Sequence, residues 1–377
     1  MKVVLAGGGT GGHIFPALAV ADELARLGRD VETVFVGRRR GMERAIFSRS
    51  GSQYFGIPAR GFVGKGAFEK GVVFPLTLFW GLVQSILVLR EVRPHSVVGT
   101  GGYVALPVVL AALLLGLPTL IQEQNSIPGM TTRLLAYFAD EVHISFPRTS
   151  RLLRAKGRVV LSGNPVRRFD TVKSPAEARR SFGLDGQRRT VLLLGGSQGA
   201  HSLNRAFVDA LPHLAALSDV QFLVQTGPRD VDLVQGAVRE TRLSVVVREF
   251  IEEMAAAYRS ADLVIARAGA TTMAELLAVG APAVLVPFPH SAGGHQEYNA
   301  REAERVGAAK AIPDSELSGE RLAQVVAGLL EDEHERALMG DRARKLGRSD
   351  AARSVAIALL RLADRGLRQE AGRSTRT

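Results

Sequence analysis

Cysteine is missing from all 377 residues, which removes disulfide frameworks, thiolate nucleophiles and thiolate metal ligands. Nothing then asks for an oxidising compartment, and the cytoplasm is the default. Aromatic residues are few, at 6% with a single tryptophan, and no aromatic-interleaved basic groove or recognised nucleic-acid motif is present, so nucleic acid is not expected as a partner. The opening MKVVLAGGG breaks into glycine after a short apolar run, too short for the core of a secretory signal, so export is not expected. Metal-ligand spacings such as H-E-x-x-H are also lacking, and no metal or cofactor is expected.

What is present belongs to a folded chain. Hydrophobic residues make up 46% and charged residues 23%, which excludes disordered and collagen-like classes. The length suits two domains at about 150 residues each. Lysine and arginine outnumber the acids, for a net charge of +11. That balance favours anionic partners, whether phosphorylated substrates or an anionic membrane surface, without choosing among them.

Short β-branched runs alternate with amphipathic stretches over nearly the whole length, the pattern of an α/β chain with parallel sheets covered by helices. Strands are predicted near Lys2–Ala6, Val31–Val36, Gln53–Ile57, Ser96–Gly99, Thr119–Gln122, Glu141–Ile144 and Arg158–Leu161. A second set is predicted near Thr190–Leu194, Gln221–Gln225, Ser244–Val247, Leu263–Ala266 and Ala283–Val286. The segment SGNPVRR at Ser162–Arg168 reads as the linker, dividing residues 1–162 from 163–347. A helix over 348–365 is expected to pack back on the first domain, and the basic tail 366–377 to be disordered. An internal repeat supports the cut: VVLAGGGTGGH at Val3–His13 resembles VLLLGGSQGAH at Val191–His201.

Two uncharged eighteen-residue stretches reach the lower edge of membrane-spanning length. The second, Val104–Ile121, holds two prolines and divides into a buried helix and a strand. The first, Val72–Leu89, carries Leu76, Phe79 and Trp80 and is flanked by Lys65, Lys70, Arg90 and Arg93. It reads either as a sheet-covering helix or as one lying in a membrane interface, where apolar burial and attraction to anionic lipid act together.

Forty glycines cluster at strand ends, and these clusters point to chemistry. Gly7, Gly9 and Gly12 satisfy G-x-G-x-x-G after a strand and before a helix, the context of a dinucleotide loop. The second strand ends in Arg38-Arg39-Arg40 rather than an acid, so an NADP-dependent oxidoreductase is one reading. Yet GTGGYVALP, GGSQGA and ARAGATTMAE repeat the strand–glycine–helix design, and one dinucleotide needs one loop. Several loops in two halves suit a cleft holding a phosphorylated donor and a phosphorylated acceptor, gripped by helix N-termini.

His13 follows the first loop in a helix's first turn, where the positive helix end disfavours imidazolium, so it is a candidate general base or a phosphate contact. Its counterpart His201 reads as structural. Glu275, four residues after Thr271, can reach back to hydroxyls at the helix mouth, with ribose the natural guess, or can balance the helix dipole. The loop VPFPHSAGGHQEYNA carries His290, His295, Gln296, Glu297 and Asn299 as ligand-reading candidates. Glu123, Gln124 and Asn125 sit at a strand's carboxyl end, and the D-x-D of Arg229–Asp232 most simply caps a helix.

In this order and spacing GGTGGH, GTGGYV, EQN, GNPVR, GGSQGA, EFIEEM, RAGATTMAE and HQEYNA resemble the MurG family, and the resemblance covers Lys2 to about Arg361. The resemblance implies a GT-B fold, two Rossmann-like doubly wound domains facing a cleft. It implies inverting transfer of GlcNAc from UDP-GlcNAc to the C4 hydroxyl of the muramoyl sugar of lipid I, giving lipid II in peptidoglycan synthesis. It further implies peripheral attachment to the cytoplasmic face of the plasma membrane, with other cell-wall synthesis proteins as partners. A lipid glycosyltransferase with another acceptor is the nearest alternative.

The implied donor contacts are Thr10, Gly11, Gly12, Asn125, Arg167, Ser197, Ile251, Ala270, Thr271, Thr272, Met273, Ala274, Glu275 and Gln296. Gly101, Gly102, Tyr103 and Glu123 are assigned to the acceptor, Leu76, Phe79 and Trp80 to the membrane, and His13 with Glu275 to catalysis. One departure is the loop Ser291-Ala292-Gly293-Gly294, where relatives often carry acids.

Overall fold

The computed structural model describes residues 1–28, 30–49, 51–61, 73–169, 174–196 and 198–374. They form two compact units, Met1–Arg167 with Asp350–Thr377, and Arg168–Ser349.

In the first unit seven parallel strands run β1 (Lys2–Gly7), β2 (Glu32–Arg38), β3 (Gln53–Ile57), β4 (Ser96–Gly101), β5 (Thr119–Glu123), β6 (Glu141–Ile144) and β7 (Arg158–Leu161). Their order across the sheet is β3-β2-β1-β4-β5-β6-β7. β1 alternates between two cores because both faces are covered. Val3 and Leu5 meet Ile14, Val20 and Leu24 together with Val355 and Leu359. Val4 and Ala6 meet Leu89, Val104 and Val108. The sequence order reverses between β1 and β4, so the loops leaving their carboxyl ends diverge and open the crevice where doubly wound sheets bind ligands.

The second unit holds β8 (Arg189–Leu194), β9 (Val220–Gln225), β10 (Ser244–Arg248), β11 (Leu263–Ala266), β12 (Ala283–Leu285) and β13 (Lys310–Ala311). All pair in parallel, in the order β10-β9-β8-β11-β12-β13. Its switch point lies between β8 and β11. The sequence reading lacks β13, whose two residues are too few to show a period.

The helix Phe74–Val92 packs one face inward and leaves another open. Gly81, Ser85, Leu89 and Val92 face inward. A side chain at Gly81 would crowd the Pro58 carbonyl at 2.8 Å, so the small residue permits close packing. On the other side Leu76, Phe79, Trp80 and Leu87 stand 56–59% exposed. Among the described residues this is the one helix long and apolar enough, by length and composition, to cross a membrane. The Val104–Ile121 stretch divides into the helix Gly102–Leu114 and β5, both largely buried.

The last helix, Ala351–Ser374, belongs to the first unit. It runs on past the Arg365 end read from sequence, so residues 366–374 are helical rather than a disordered tail. Leu362 and Ala363 are buried beside that point, Gly366 lies against the His95 carbonyl, and Arg361 and Arg365 pair with Glu141 and Asp140.

Candidate active site

At the first unit's switch point the chain leaves β1 through Gly8 and Gly9, passes an extended Thr10 and enters the helix Gly11–Arg26. Thr10 offers no side-chain cap, so the N–H groups of Gly11 and Gly12 at the helix start are available to an external oxygen. Behind the loop the buried Glu43 carboxylate lies against Gly8 and takes the Arg38 Nε at 2.8 Å. Burial would push that carboxyl up, but Arg38's hydrogen bonds and charge, with Glu43's own backbone N–H, together hold it below the usual range. Arg38 is thereby turned onto Glu43, and not presented as the 2′-phosphate reader that a nicotinamide enzyme would need.

His13 lies in the first turn, and its ring sits on the turn Gly101–Gly102. A Cβ at Gly101 would come within 2.5 Å of Nδ1, and both glycines have positive φ, 105° and 75°. The two glycines assigned to the acceptor are therefore the seat of the imidazole. Thr100 Oγ1 donates to the His13 carbonyl at 2.7 Å. Nδ1 lies 3.0 Å from the Thr100 carbonyl and 3.2 Å from Gln124 Oε1. Burial pushes the imidazole below its usual 6.5, against the opposing pull of Glu123 and the two hydrogen bonds, so the ring is neutral at pH 7.

Glu123 closes its own loop. Oε1 accepts from Asn125 N at 2.9 Å and Asn125 Nδ2 at 3.2 Å, and Oε2 from Gly129 N at 3.1 Å. Its carboxylate shapes the turn that presents Asn125. Tyr103 packs edge-on to Phe74, and Arg167 lays its guanidinium over the Phe15 ring at 5.0 Å.

In the second unit the loop after β8 packs on the turn after β9. A side chain at Gly199 would strike the Thr226 carbonyl at 2.4 Å, and one at Gly227 the backbone of Gly199, so glycine at both is a packing requirement. Ser197, assigned to the nucleotide, lies outside the described residues. Asp230 occupies the helix-cap position expected from sequence but caps nothing: its carboxylate accepts from Asn204 at 2.8 Å and meets His201 Nδ1 at 2.8 Å.

After β11 the helix Ala270–Val279 begins without a side-chain cap. Ala270, Thr271 and Thr272 form its mouth, with Ala274 partly buried one turn in. The buried Thr271 Oγ1 has no hydrogen-bond partner among the described residues. Met273, grouped with this mouth in the sequence reading, instead buries its side chain in the core and donates its N–H to Gly269. Glu275 is 6% exposed, and Tyr258 donates to its Oε2 at 2.9 Å. Ile251 donates its N–H to Gln225 Oε1 at 2.9 Å and buries its side chain. Gln296 Oε1 accepts from Phe288 N at 3.0 Å, which ties the helix His295–Arg305 to the preceding loop.

Sequence reasoning passed over Arg267, though it stands in the ARAGATTMAE motif. Its guanidinium donates to Asp314 Oδ1 at 2.6 Å, Ser202 Oγ at 2.7 Å and the carbonyls of Val286 and Pro287. One side chain thus joins the loops after β11 and β12 to the helix His201–Leu214. Among the described residues no three His, Asp or Glu side chains gather as metal ligands.

Models of the glycosyltransferase family 28 N-terminal and C-terminal domains match residues 3–144 and 190–355. A UDP-N-acetylglucosamine–N-acetylmuramyl-(pentapeptide) pyrophosphoryl-undecaprenol N-acetylglucosamine transferase from Syntrophus aciditrophicus is 40% identical over 366 residues, 96% of this chain and 99% of its own. Its namesake from Anaeromyxobacter sp. strain Fw109-5 is 42% identical over 94% of this chain and 92% of its own. The crystal structure of MurG from Acinetobacter baumannii superposes with a TM-score of 0.73 at 32% identity, covering 96% and 99% of the two chains.

Proposed function

Since the chain belongs to glycosyltransferase family 28, and within it to the UDP-GlcNAc-dependent MurG transferases that act on lipid I, we propose how its residues divide that reaction. The chain transfers GlcNAc from UDP-GlcNAc to the muramoyl sugar of undecaprenyl-pyrophosphoryl-MurNAc-pentapeptide in peptidoglycan synthesis. His13 is the base. It takes the proton of the attacking C4 hydroxyl as the oxygen bonds the anomeric carbon, and the bond to UDP breaks with its electron pair on the diphosphate. The neutral ring in the first helical turn carries this reading, because only an unprotonated imidazole can accept that proton.

The second unit handles the leaving group. Negative charge grows on the diphosphate, and the N–H groups at the mouth Ala270–Thr272, with the β8 loop, stabilise it as it forms. Glu275 and Tyr258 form the ribose end of this grip, the Ile251 carbonyl faces uracil, and Gln296 reads the sugar; on the first unit Asn125 is the sugar-reading residue. Gly11 and Gly12 serve phosphate oxygens through their N–H groups. Tyr103 and the Glu123 loop serve the acceptor. We place the chain at the cytoplasmic membrane surface through Leu76, Phe79 and Trp80, whose exposed faces and cationic flanks suit anionic lipid. Other cell-wall synthesis proteins are natural neighbours there.

The test is transfer of labelled GlcNAc from UDP-GlcNAc to a lipid I analogue with chelator present. Product is expected in the wild type and its near-absence in His13→Ala. Full activity in that variant overturns the assignment of the base.

A further inference from the structure

Resting on the reading of His13 as the base, we propose that Gln124 is a positioning residue which fixes the imidazole tautomer, with the proton on Nδ1 and the lone pair on Nε2. The argument starts from what faces Nδ1. Two oxygens do, the Thr100 carbonyl at 3.0 Å and Gln124 Oε1 at 3.2 Å. An unprotonated nitrogen would meet two lone pairs there, so Nδ1 carries hydrogen and donates to both.

The orientation of the Gln124 amide is set independently of the histidine. Its Nε2 lies 2.6 Å from the Thr100 carbonyl and 3.1 Å from the Gln122 carbonyl, and both can only accept. A flipped amide would set its oxygen against two carbonyls, so Oε1 is held toward the ring. Gln124 is 2% exposed, and water does not compete for these bonds. With Nδ1 protonated and the ring neutral, Nε2 holds the only lone pair, and the acceptor hydroxyl delivers its proton there.

The amide shares this choice with the Thr100 carbonyl. Thr100 holds the backbone of His13 through Oγ1 as well as accepting from the ring, and the glycine turn supplies room but no polar side chain. Among the described residues Glu123 is the one charged group acting on the ring, and its oxygens are engaged by Asn125 and Gly129. Neither Gly7–Thr10 nor Gly101–Gly102 contributes a titratable side chain. Gln124 thus does for His13 what an orienting partner does for any imidazole base, and as a neutral amide it favours the protonated ring only through its hydrogen bond.

Two measurements test this. Nitrogen-15 spectra of the full-length protein with labelled histidine, the His13 signals identified by their loss in His13→Gln, should show protonated Nδ1 and bare Nε2 in the wild type. Gln124→Leu should move those signals toward a tautomer mixture and lower kcat about tenfold, with the KM for UDP-GlcNAc within twofold. It should also move the acid limb of the kcat profile to lower pH, because the lost acceptor also steadied imidazolium. Gln124→Met stands in should the leucine variant fail to fold. A wild-type ring protonated on Nε2, or a wild-type rate and acid limb in a folded Gln124 variant, overturns the proposal. Full activity in His13→Gln would instead sink the base assignment and leave the tautomer result standing.

Discussion

Tyr258 donates its phenolic hydrogen to Oε2 of Glu275 across 2.9 Å, inside the second unit. Phe169 packs edge-on against the Tyr258 ring, so the phenol is held from both sides. The bond satisfies part of a carboxylate that is almost out of contact with water.

Replacing Tyr258 by phenylalanine should therefore act on donor binding. Leaving a buried acceptor short of a partner costs about 1–3 kcal/mol, equivalent to roughly 2–4 °C per kcal/mol in the melting temperature of a unit the size of the second. The KM for UDP-GlcNAc should rise several-fold, and Glu275→Ala should raise it further. An unchanged KM in both variants contradicts the ribose assignment.

Loss of His13 should act on turnover. His13→Ala is expected to lower kcat by about 10²–10⁴, with UDP-GlcNAc affinity by calorimetry nearly unchanged. Because burial lowers the imidazole below 6.5, the wild-type rate should be flat from pH 7 upward and fall only on acidification below 6.5.

Stability should follow the same direction at low pH. His13 and His143 are both depressed by burial, so the unfolded chain binds their protons first as pH drops below 6.5. Folding free energy is then full at neutral pH and declines between 6.5 and the lowered native values. Denaturant midpoints measured from pH 7.5 to 5 check this, and a midpoint rising on acidification contradicts it.

Arg38 and Glu43 should prove unequal. Removing Arg38 leaves a fully buried carboxylate without its cation, a change that costs about 3–5 kcal/mol. Glu43→Gln leaves a one-third exposed guanidinium that water can reach, and should cost much less. Paired melting curves of Arg38→Ala and Glu43→Gln measure the difference.

At the apolar helix, Trp80→Glu should weaken sedimentation with anionic vesicles and leave donor affinity and melting temperature in place. Trp80 is 56% exposed, so no core contact depends on it. Sedimentation equal to wild type would count against membrane contact through this face.

Much of this architecture was readable from period and punctuation. The strands stand where short β-branched runs end in glycine, because a strand covered on both faces must be apolar throughout. The short β13 escaped, having no period to show. The terminal helix was read too short because only Leu362, Ala363, Gly366 and the basic pairs to β6 hold its later turns, and those contacts join residues far apart in sequence. The glycine loops announced the site but not its supports. Gln124 meets His13 from 111 residues away, and Arg267 reaches Ser202 and Asp314 at separations of 65 and 47. Such partnerships exist only once the sheets have set the strand order.

The terminal helix also orders events at birth. Val355 and Leu359 complete the same core as Val3 and Leu5, yet the ribosome makes the whole second unit between them. At about 5–20 residues per second that interval lasts on the order of ten seconds or more. Throughout it the newborn first unit shows a bare apolar flank that its own chain cannot yet cover, while the later-made unit can finish folding first.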